Sequence, residues 1–242
     1  MRIAVAGGTG QVGKLVVDAA RERGHEPVVI ARSTGVDLTT GAGLEAALDG
    51  VEVIIDVSNV TTTSRAKAVA FFETVTSTLL NAAAKAGTKH HIALSIVGCD
   101  RVGLGYYAGK MRQEELVLNG AVPATVLRAT QFHEFAGQLL SGVPGPIAIV
   151  PSMRVQPIAV REVAEALADL VLDKPQAMAP EIAGPRVESL VDMARRLIAA
   201  GGARQRPVLP LPLPGAMSSG GLIPQGPGPR GTETFTEWLQ RR

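Results

Sequence analysis

Apolar positions along the chain fall into short continuous runs separated by stretches with helical spacing, the pattern of strands alternating with helices. Arg2-Ile3-Ala4-Val5 reads as a buried strand, and Gln11 to Arg23 carries Val12, Leu15, Val16 and Ala19 at helical intervals. Pro27 to Ala31 returns to strand, Val36-Asp37-Leu38 is expected as a short third strand, and Leu44 to Leu48 as a short helix. A fourth strand follows over Val51 to Val57. Ser64 to Gly87 is predicted as the longest helix, with Val69, Phe72, Val75, Leu79 and Ala83 on one face and Gly87 as its stop. His90 to Ser95 is the fifth strand, Ile96 to Gly105 a glycine-bearing loop, Tyr106 to Leu118 a helix, and Val122 to Arg128 the sixth strand. This alternation predicts an α/β fold: a doubly wound parallel sheet of Rossmann type in the order 3-2-1-4-5-6, with a small C-terminal lobe.

Beyond Gly142 the pattern changes. Strand-like pieces at Ile147 to Val150 and Arg154 to Pro157 precede an amphipathic helix, Val160 to Leu172, with Glu162 and Glu165 outward, and an Ala-rich helix is expected over Glu188 to Ala200. Arg206 to Arg230 then holds seven of the 16 prolines and is excluded from helices and central strands. Thr232 to Leu239 carries Phe235, Trp238 and Leu239, which predicts a short helix docking back. A long irregular segment pinned at both ends is often a binding loop. Residues 207 to 229 are therefore expected to form one wall of a substrate pocket, the alternative being a plain surface excursion. The whole of 1–242 is expected as a single domain, with roughly 131–242 contributing the substrate lobe.

Composition narrows the class. With 242 residues, 46% of them hydrophobic, the chain can bury a sizeable core, and with aromatics at 3% that core must be mostly Ala, Val, Leu and Ile. A net charge of +2 and the lack of a basic run interleaved with aromatics argue against nucleic acid as a partner. The single cysteine, Cys99, excludes an internal disulfide, and no cysteine-based metal site is expected. No apolar run reaches the ~18 residues of a membrane span. These features predict a cytoplasmic protein that acts on a small molecule, with neither a membrane nor a metal.

The chemistry begins at Ala6-Gly7-Gly8-Thr9-Gly10-Gln11-Val12-Gly13, which joins the first strand to the first helix. Gly7 permits the tight turn, Gly10 lets the backbone approach a pyrophosphate, and Gly13 lets helix and strand pack closely. Amides at the start of the helix, from Gln11 and Val12 onward, then face the phosphates. At the end of the second strand an Arg suits the extra phosphate of NADP(H), so Arg32 predicts that cofactor. Asp37 is expected near the adenine, and Val57 and Ser58 stand at the carboxyl end of a strand, where open α/β sheets bind ligands.

A second constellation follows. Tyr106 and Lys110 are four apart on one helix, so both project from one face. An ammonium close to a phenol lowers its pKa from about 10. Tyr106 is thereby a candidate proton donor to a carbonyl oxygen, with Ser95 adding a hydrogen bond to the same oxygen and Tyr107 as a rival phenol. Gln131, Phe132 and His133 are expected at the nicotinamide end as substrate contacts. The fifth-strand pair His90 and His91 is expected to be capping or surface residues.

Together, the glycine turn, Arg32, Ser95 and Tyr106-Tyr107-Ala108-Gly109-Lys110 resemble a short-chain dehydrogenase/reductase, and the Gly-Gly-Thr-Gly form of the turn is similar to the atypical NmrA-like branch. The resemblance covers about residues 1 to 172. It implies Tyr106 as catalytic acid/base, Lys110 also holding the nicotinamide ribose, Ser95 orienting substrate, and a habit of homo-oligomer formation. The implied activity is NADPH-dependent hydride transfer to a small carbonyl, imine or quinone. NmrA-like relatives also include NADP(H)-binding regulators without turnover, which is the alternative. A sugar-nucleotide epimerase is a further rival, disfavoured by Arg32 and the short C-terminal part.

Overall fold

The computed structural model describes residues 1–241. In chain order the first elements are β1 (Arg2–Ala6), α1 (Gln11–Glu22), β2 (Glu26–Ile30), α2 (Leu44–Ala47), β3 (Val53–Asp56), α3 (Arg65–Ala86) and β4 (His90–Ile96). There follow α4 (Gly105–Leu118), β5 (Ala124–Ala129), α5 (Phe135–Gly142), β6 (Ala148–Ser152), β7 (Arg154–Val155) and α6 (Val160–Asp169). The last are β8 (Ala177–Met178), β9 (Glu188–Ser189), α7 (Leu190–Ala199), β10 (Val208–Pro212) and α8 (Phe235–Gln240). They form two compact units, residues 1–128 with 160–179, and residues 129–159 with 180–241. Residues 160–179, expected in the C-terminal lobe, therefore belong to the first unit.

The first unit is built on a six-stranded parallel sheet ordered β2-β1-β3-β4-β5-β8. Chain progression runs one way from β1 to β2 and the other way from β3 through β5. Right-handed crossovers therefore place α1 on one face and α3 and α4 on the other, the doubly wound Rossmann arrangement. Ala6 lies level with both Ile30 and Asp56, so β1, β2 and β3 end together at one edge. The apolar strands are buried on both faces, as the short hydrophobic runs require.

One expected strand is absent. Val36-Asp37-Leu38 forms part of a turn, because Gly35 has a positive φ of 81° and the Asp37 carboxylate captures the amide and hydroxyl of Thr39 at 2.8 and 2.6 Å. Val36 still reaches the core. At the other edge stands β8, two residues long and too short to show any periodicity. His90 and His91 are interior, contrary to expectation: His90 Nε2 meets Thr125 Oγ1 at 2.8 Å, and His91 is wholly buried.

On the other face, α4 lies tightly on α3. A Cβ at Gly109 would stand 2.7 Å from Phe72 Cδ2 and 2.8 Å from the Ala68 carbonyl. On the first face, α1 packs against α6, and Arg23 Nε pairs with Asp169 at 2.7 Å.

In the second unit β6 pairs in parallel with β10 and β7 pairs antiparallel with β9. The tract over 207–229 is thus only partly irregular. Val208–Pro212 is a strand, permitted because a two-stranded sheet consists of edges, where the missing amides of Pro210 and Pro212 are tolerated. The short helix α8 opens with a reciprocal Thr234–Glu237 capping box. Its Phe235 is buried, with Trp238 stacked 5.5 Å away and His133 at 5.9 Å.

Gly109→Val forces a branched side chain into the α3–α4 contact and is expected to lower unfolding stability by about 1–3 kcal/mol. A urea titration checks this; an unchanged midpoint means that the helices are not so closely packed.

Candidate functional site

At the common strand edge the chain leaves β1 through Gly7, whose φ of +78° is a conformation that side-chain-bearing residues rarely adopt. A Cβ on Gly7 would also stand 3.0 Å from Ser58 Cα and from the Val57 carbonyl oxygen. The turn closes with Gly10 N donating to Gly7 O at 2.9 Å. At Gly13 a Cβ would run into the Gly7 carbonyl, so this glycine sets the distance between helix and turn. Gly10 differs, because a Cβ there meets only Gly7 O, at 3.2 Å.

The residues present fit a dinucleotide. α1 begins at Gln11 with no side chain capping it, so its first amides keep their donors for an anion. Ser58 is buried, and its Oγ has no hydrogen-bond partner. An orphaned hydroxyl beside a glycine turn is what a ligand hydroxyl or phosphate would satisfy. Val57 and Val12 border the same edge, half-buried. Arg32 begins a short 3-10 turn one residue after β2; it is exposed, and its guanidinium makes no hydrogen bond or ion pair among the described residues. Asp37 is held below the usual carboxylate range chiefly by the Thr39 hydroxyl, so Oδ1 is committed to its own turn.

The second constellation is arranged differently from expectation. Tyr106 and Lys110 share one side of α4, and both lie against Phe72: the Tyr106 ring at 5.9 Å between centroids, the Lys110 ammonium 4.7 Å above the ring centre. The Tyr106 hydroxyl donates to Asn59 Oδ1 at 2.5 Å. Lys110 Nζ donates to the Leu94 carbonyl at 2.6 Å and to Gln113 Oε1. The ammonium is therefore not the partner of the phenol. Burial, reinforced by Tyr107, pushes the Tyr106 pKa up, the reverse of the lowering expected from Lys110. Tyr107, the rival phenol, is itself buried.

Ser95 also stands elsewhere. It is buried, and its Oγ donates to Glu114 Oε1 at 2.5 Å. Glu114 in turn receives a two-pronged contact from Arg128, at 2.9 and 2.7 Å, and Arg128 reaches Asp100 at 2.8 Å. Glu114 is eight residues beyond Tyr106, about 12 Å along the helix at 1.5 Å per residue. The structure thus places Ser95 in the Arg128 cluster and brings Asn59, which sequence reasoning missed, to the Tyr106 oxygen. Cys99 sits in the same cluster, 3.4 Å from Glu114, and burial pushes its thiol up to about 11.

Beneath the edge lies a further buried set: Asp56, His91, Lys110 and Gln113. Asp56 Oδ1 accepts the Ser58 amide at 2.9 Å, Oδ2 accepts Gln113 Nε2 at 2.9 Å, and His91 Nε2 stands 4.0 Å from Oδ2. Burial holds His91 below its ordinary range.

In the second unit, Gln131 is more than nine-tenths buried, and neither its Oε1 nor its Nε2 has a partner. Phe132 pairs through its backbone with Ile158. His133 is buried, with Nε2 3.2 Å from the Glu233 carbonyl, so its ring serves the packing of α8. A cleft of about 300 Å³ in this unit is lined by Arg154, Arg195 and Ser152 and by Pro210 and Ser218 of the proline-rich tract. Among the described residues no cluster of three His, Cys, Asp or Glu is placed to hold a metal, and no helix is long and apolar enough to cross a membrane.

The glycine turn, parallel sheet and common strand edge define a Rossmann-type fold. Comparison with known proteins agrees. Residues 3–99 match the NAD dependent epimerase/dehydratase family. No curated protein sequence matches the chain. Among solved structures it is similar to the NADPH-dependent quinone oxidoreductase of Escherichia coli in complex with NADPH, with a TM-score of 0.76 at 20% identity over 99% of each chain. It is similar also to UDP-N-acetylglucosamine 4-epimerase from Bacillus cereus, with a TM-score of 0.72 at 15% identity over 100% of this chain and 96% of that one. A short-chain dehydrogenase/reductase superfamily protein from Agrobacterium tumefaciens with bound NAD has a TM-score of 0.72 at 19% identity, over 100% and 95% of the two chains. These likenesses establish the fold.

Burial pushes the Lys110 pKa down from 10.5 to about 8. Between those values the folded chain binds fewer protons than the unfolded one, so this lysine makes stability rise with pH across the window. Cys99, raised from 9.0, acts oppositely above pH 9. Denaturant midpoints of wild type and Lys110→Met, which share Cys99, are expected to differ in slope between about pH 8 and 10, wild type rising more. Parallel profiles would show that Lys110 titrates as an exposed lysine.

Proposed function

We propose that this chain is an NADP(H)-dependent oxidoreductase that reduces a small carbonyl, imine or quinone. The observation that carries the reading is the strand edge itself: a glycine turn with uncapped amides, the orphaned hydroxyl of Ser58 and an unpaired Arg32, all at the carboxyl ends of β1 to β3. Gly7 to Val12 would hold the pyrophosphate and Arg32 the ribose phosphate, with Val57 and Ser58 against the same cofactor. When bound, the nicotinamide supplies the hydride.

The chain's own contribution is to the acceptor oxygen. Tyr106 is a neutral phenol at physiological pH because burial raises its pKa. It gives the oxygen a hydrogen bond and then a proton, which solvent returns. Lys110 cannot strengthen that acid directly, since its protons go to Leu94 and Gln113. Such a weak acid favours a quinone over a simple ketone: the oxygen of a reduced quinone is itself a phenolate of low basicity and needs less help. The likeness to an NADPH-dependent quinone oxidoreductase supports the same choice. Within the second unit, Gln131 is a candidate contact for a polar ligand, since its buried amide has no partner. A single buried cysteine suits a reducing compartment such as the cytoplasm.

The second reading is the NmrA-like one, an NADP(H)-binding regulator without turnover. It is favoured by the internal commitment of Lys110 and of the Tyr106 hydroxyl. The two readings share the cofactor and part at catalysis.

Arg32→Ala is expected to weaken NADPH binding about 10–100-fold, the worth of a charge-assisted hydrogen bond, and to change NADH binding little. Calorimetry with both nucleotides checks this, and equal losses would remove Arg32 from the phosphate site. With a panel of quinones and carbonyls, Tyr106→Phe is expected to reduce the rate of NADPH consumption about 100-fold at unchanged NADPH affinity. Tight NADPH binding by wild type with no consumption across the panel would favour the regulator.

A further inference from the structure

The Tyr106 hydroxyl and the buried Lys110 ammonium do not meet, yet one path of hydrogen bonds and a single step along the backbone joins them. It starts at Lys110 Nζ, which donates to Gln113 Oε1 and so fixes which way the Gln113 amide faces. Gln113 Nε2 must then point at Asp56, and it donates to Oδ2 at 2.9 Å. The other carboxylate oxygen of Asp56 accepts the Ser58 amide at 2.9 Å and pins the chain just beyond β3. The next residue is Asn59, whose Oδ1 receives the Tyr106 hydroxyl. Lys110, Gln113 and Asp56 are all at least nine-tenths buried, so solvent does not substitute for these partners.

We propose that Gln113 and Asp56 are positioning residues for Tyr106, acting through the Val57–Asn59 segment, with Lys110 orienting Gln113 rather than touching the phenol. The proposal rests on the reading of Tyr106 as the acid. The same segment backs the glycine turn, since Ser58 Cα and the Val57 carbonyl confront Gly7. A shift of this segment is therefore felt on one side by the turn and on the other by the phenol.

Three groups face Asp56 from the elements around it: Gln113 from α4, the Ser58 amide from its own segment, and the His91 ring from β4. Two of them donate hydrogen bonds. Removing Gln113 leaves a buried carboxylate oxygen without its donor, and the segment relaxes to let water in. That water uncovers the Tyr106 hydroxyl, which then ionises more readily.

The chain has two tyrosines, Tyr106 and Tyr107, so in a Tyr107→Phe background phenolate absorbance reports Tyr106 alone. Rapid mixing to about pH 11, one unit above an ordinary tyrosine, should leave Tyr106 largely protonated in that background. Gln113→Met and Gln113→Glu are each expected to lower its midpoint by about one unit, both having lost the donor to Asp56. Asn59→Ala should do the same by cutting the far end of the path. The decisive comparison is the double variant. If the path acts as proposed, Gln113→Met adds nothing once Asn59 is alanine. Additive shifts, or a Gln113 variant that folds and leaves the Tyr106 midpoint unchanged, would overturn the proposal. Should Gln113→Met fail to fold, Gln113→Glu carries the same comparison, its Lys110 contact being retained as an ion pair. None of these readouts needs a substrate, so a protein without turnover fails the functional reading and leaves this test intact.

Discussion

The structure depends on one close approach, that of Gly7 to the backbone of Val57 and Ser58. Because β1 and β3 end level, the chain leaving β1 must turn within van der Waals reach of the chain leaving β3. A residue with a side chain would be strained there, and the turn in turn sets where α1 begins and how Gly13 packs beneath it. The strand edge with its uncapped amides is the consequence. A Rossmann fold presents backbone amides at such an edge, and Arg32 and Ser58 are the side chains this chain places beside them.

The same region shows how a helix takes over an apparently catalytic motif for structural purposes. Lys110 lies on the buried side of α4 because Gly109 draws that helix onto α3. At that depth an ammonium needs acceptors, and it finds them in Leu94 and Gln113. Ser95, on the neighbouring strand, is enclosed by the Glu114–Arg128 pair. Tyr106 alone of the three lies at the end of the helix where it meets the loop after β3, and its chemistry is governed by Asn59 and by burial. Spacing along a helix settles which residues share a side. It does not settle which atoms meet.

The second unit follows another logic. Its strands are short and paired two by two, and its apolar contacts are gathered by α7 and α8. His133, a polar residue in a conspicuous place, is absorbed by packing against the stacked pair Phe235 and Trp238. Gln131, two residues before it, retains buried hydrogen-bonding capacity at both ends of its amide.

Much was legible in the residues alone. The glycine turn, β1, β2, the long α3 and the Tyr106 helix follow from periodicity and from glycine and proline chemistry, which act over a few neighbouring residues. The missing third strand was not legible, because it hinged on Asp37 folding back on Thr39 in competition with an apolar pair. Nor was β8, since two residues carry no period. The burial of His90 and His91, the capture of Ser95 by Glu114 and the pairing of Tyr106 with Asn59 join residues between 19 and 47 positions apart or depend on how deep an element lies. The sequence by itself determined the class of fold and the place of the glycine turn, because backbone conformation and strand burial are local consequences of residue type. Only the tertiary structure decided which side chains face one another at that edge, because their partners come from β3, β4 and α4, whose relative depth is set by packing.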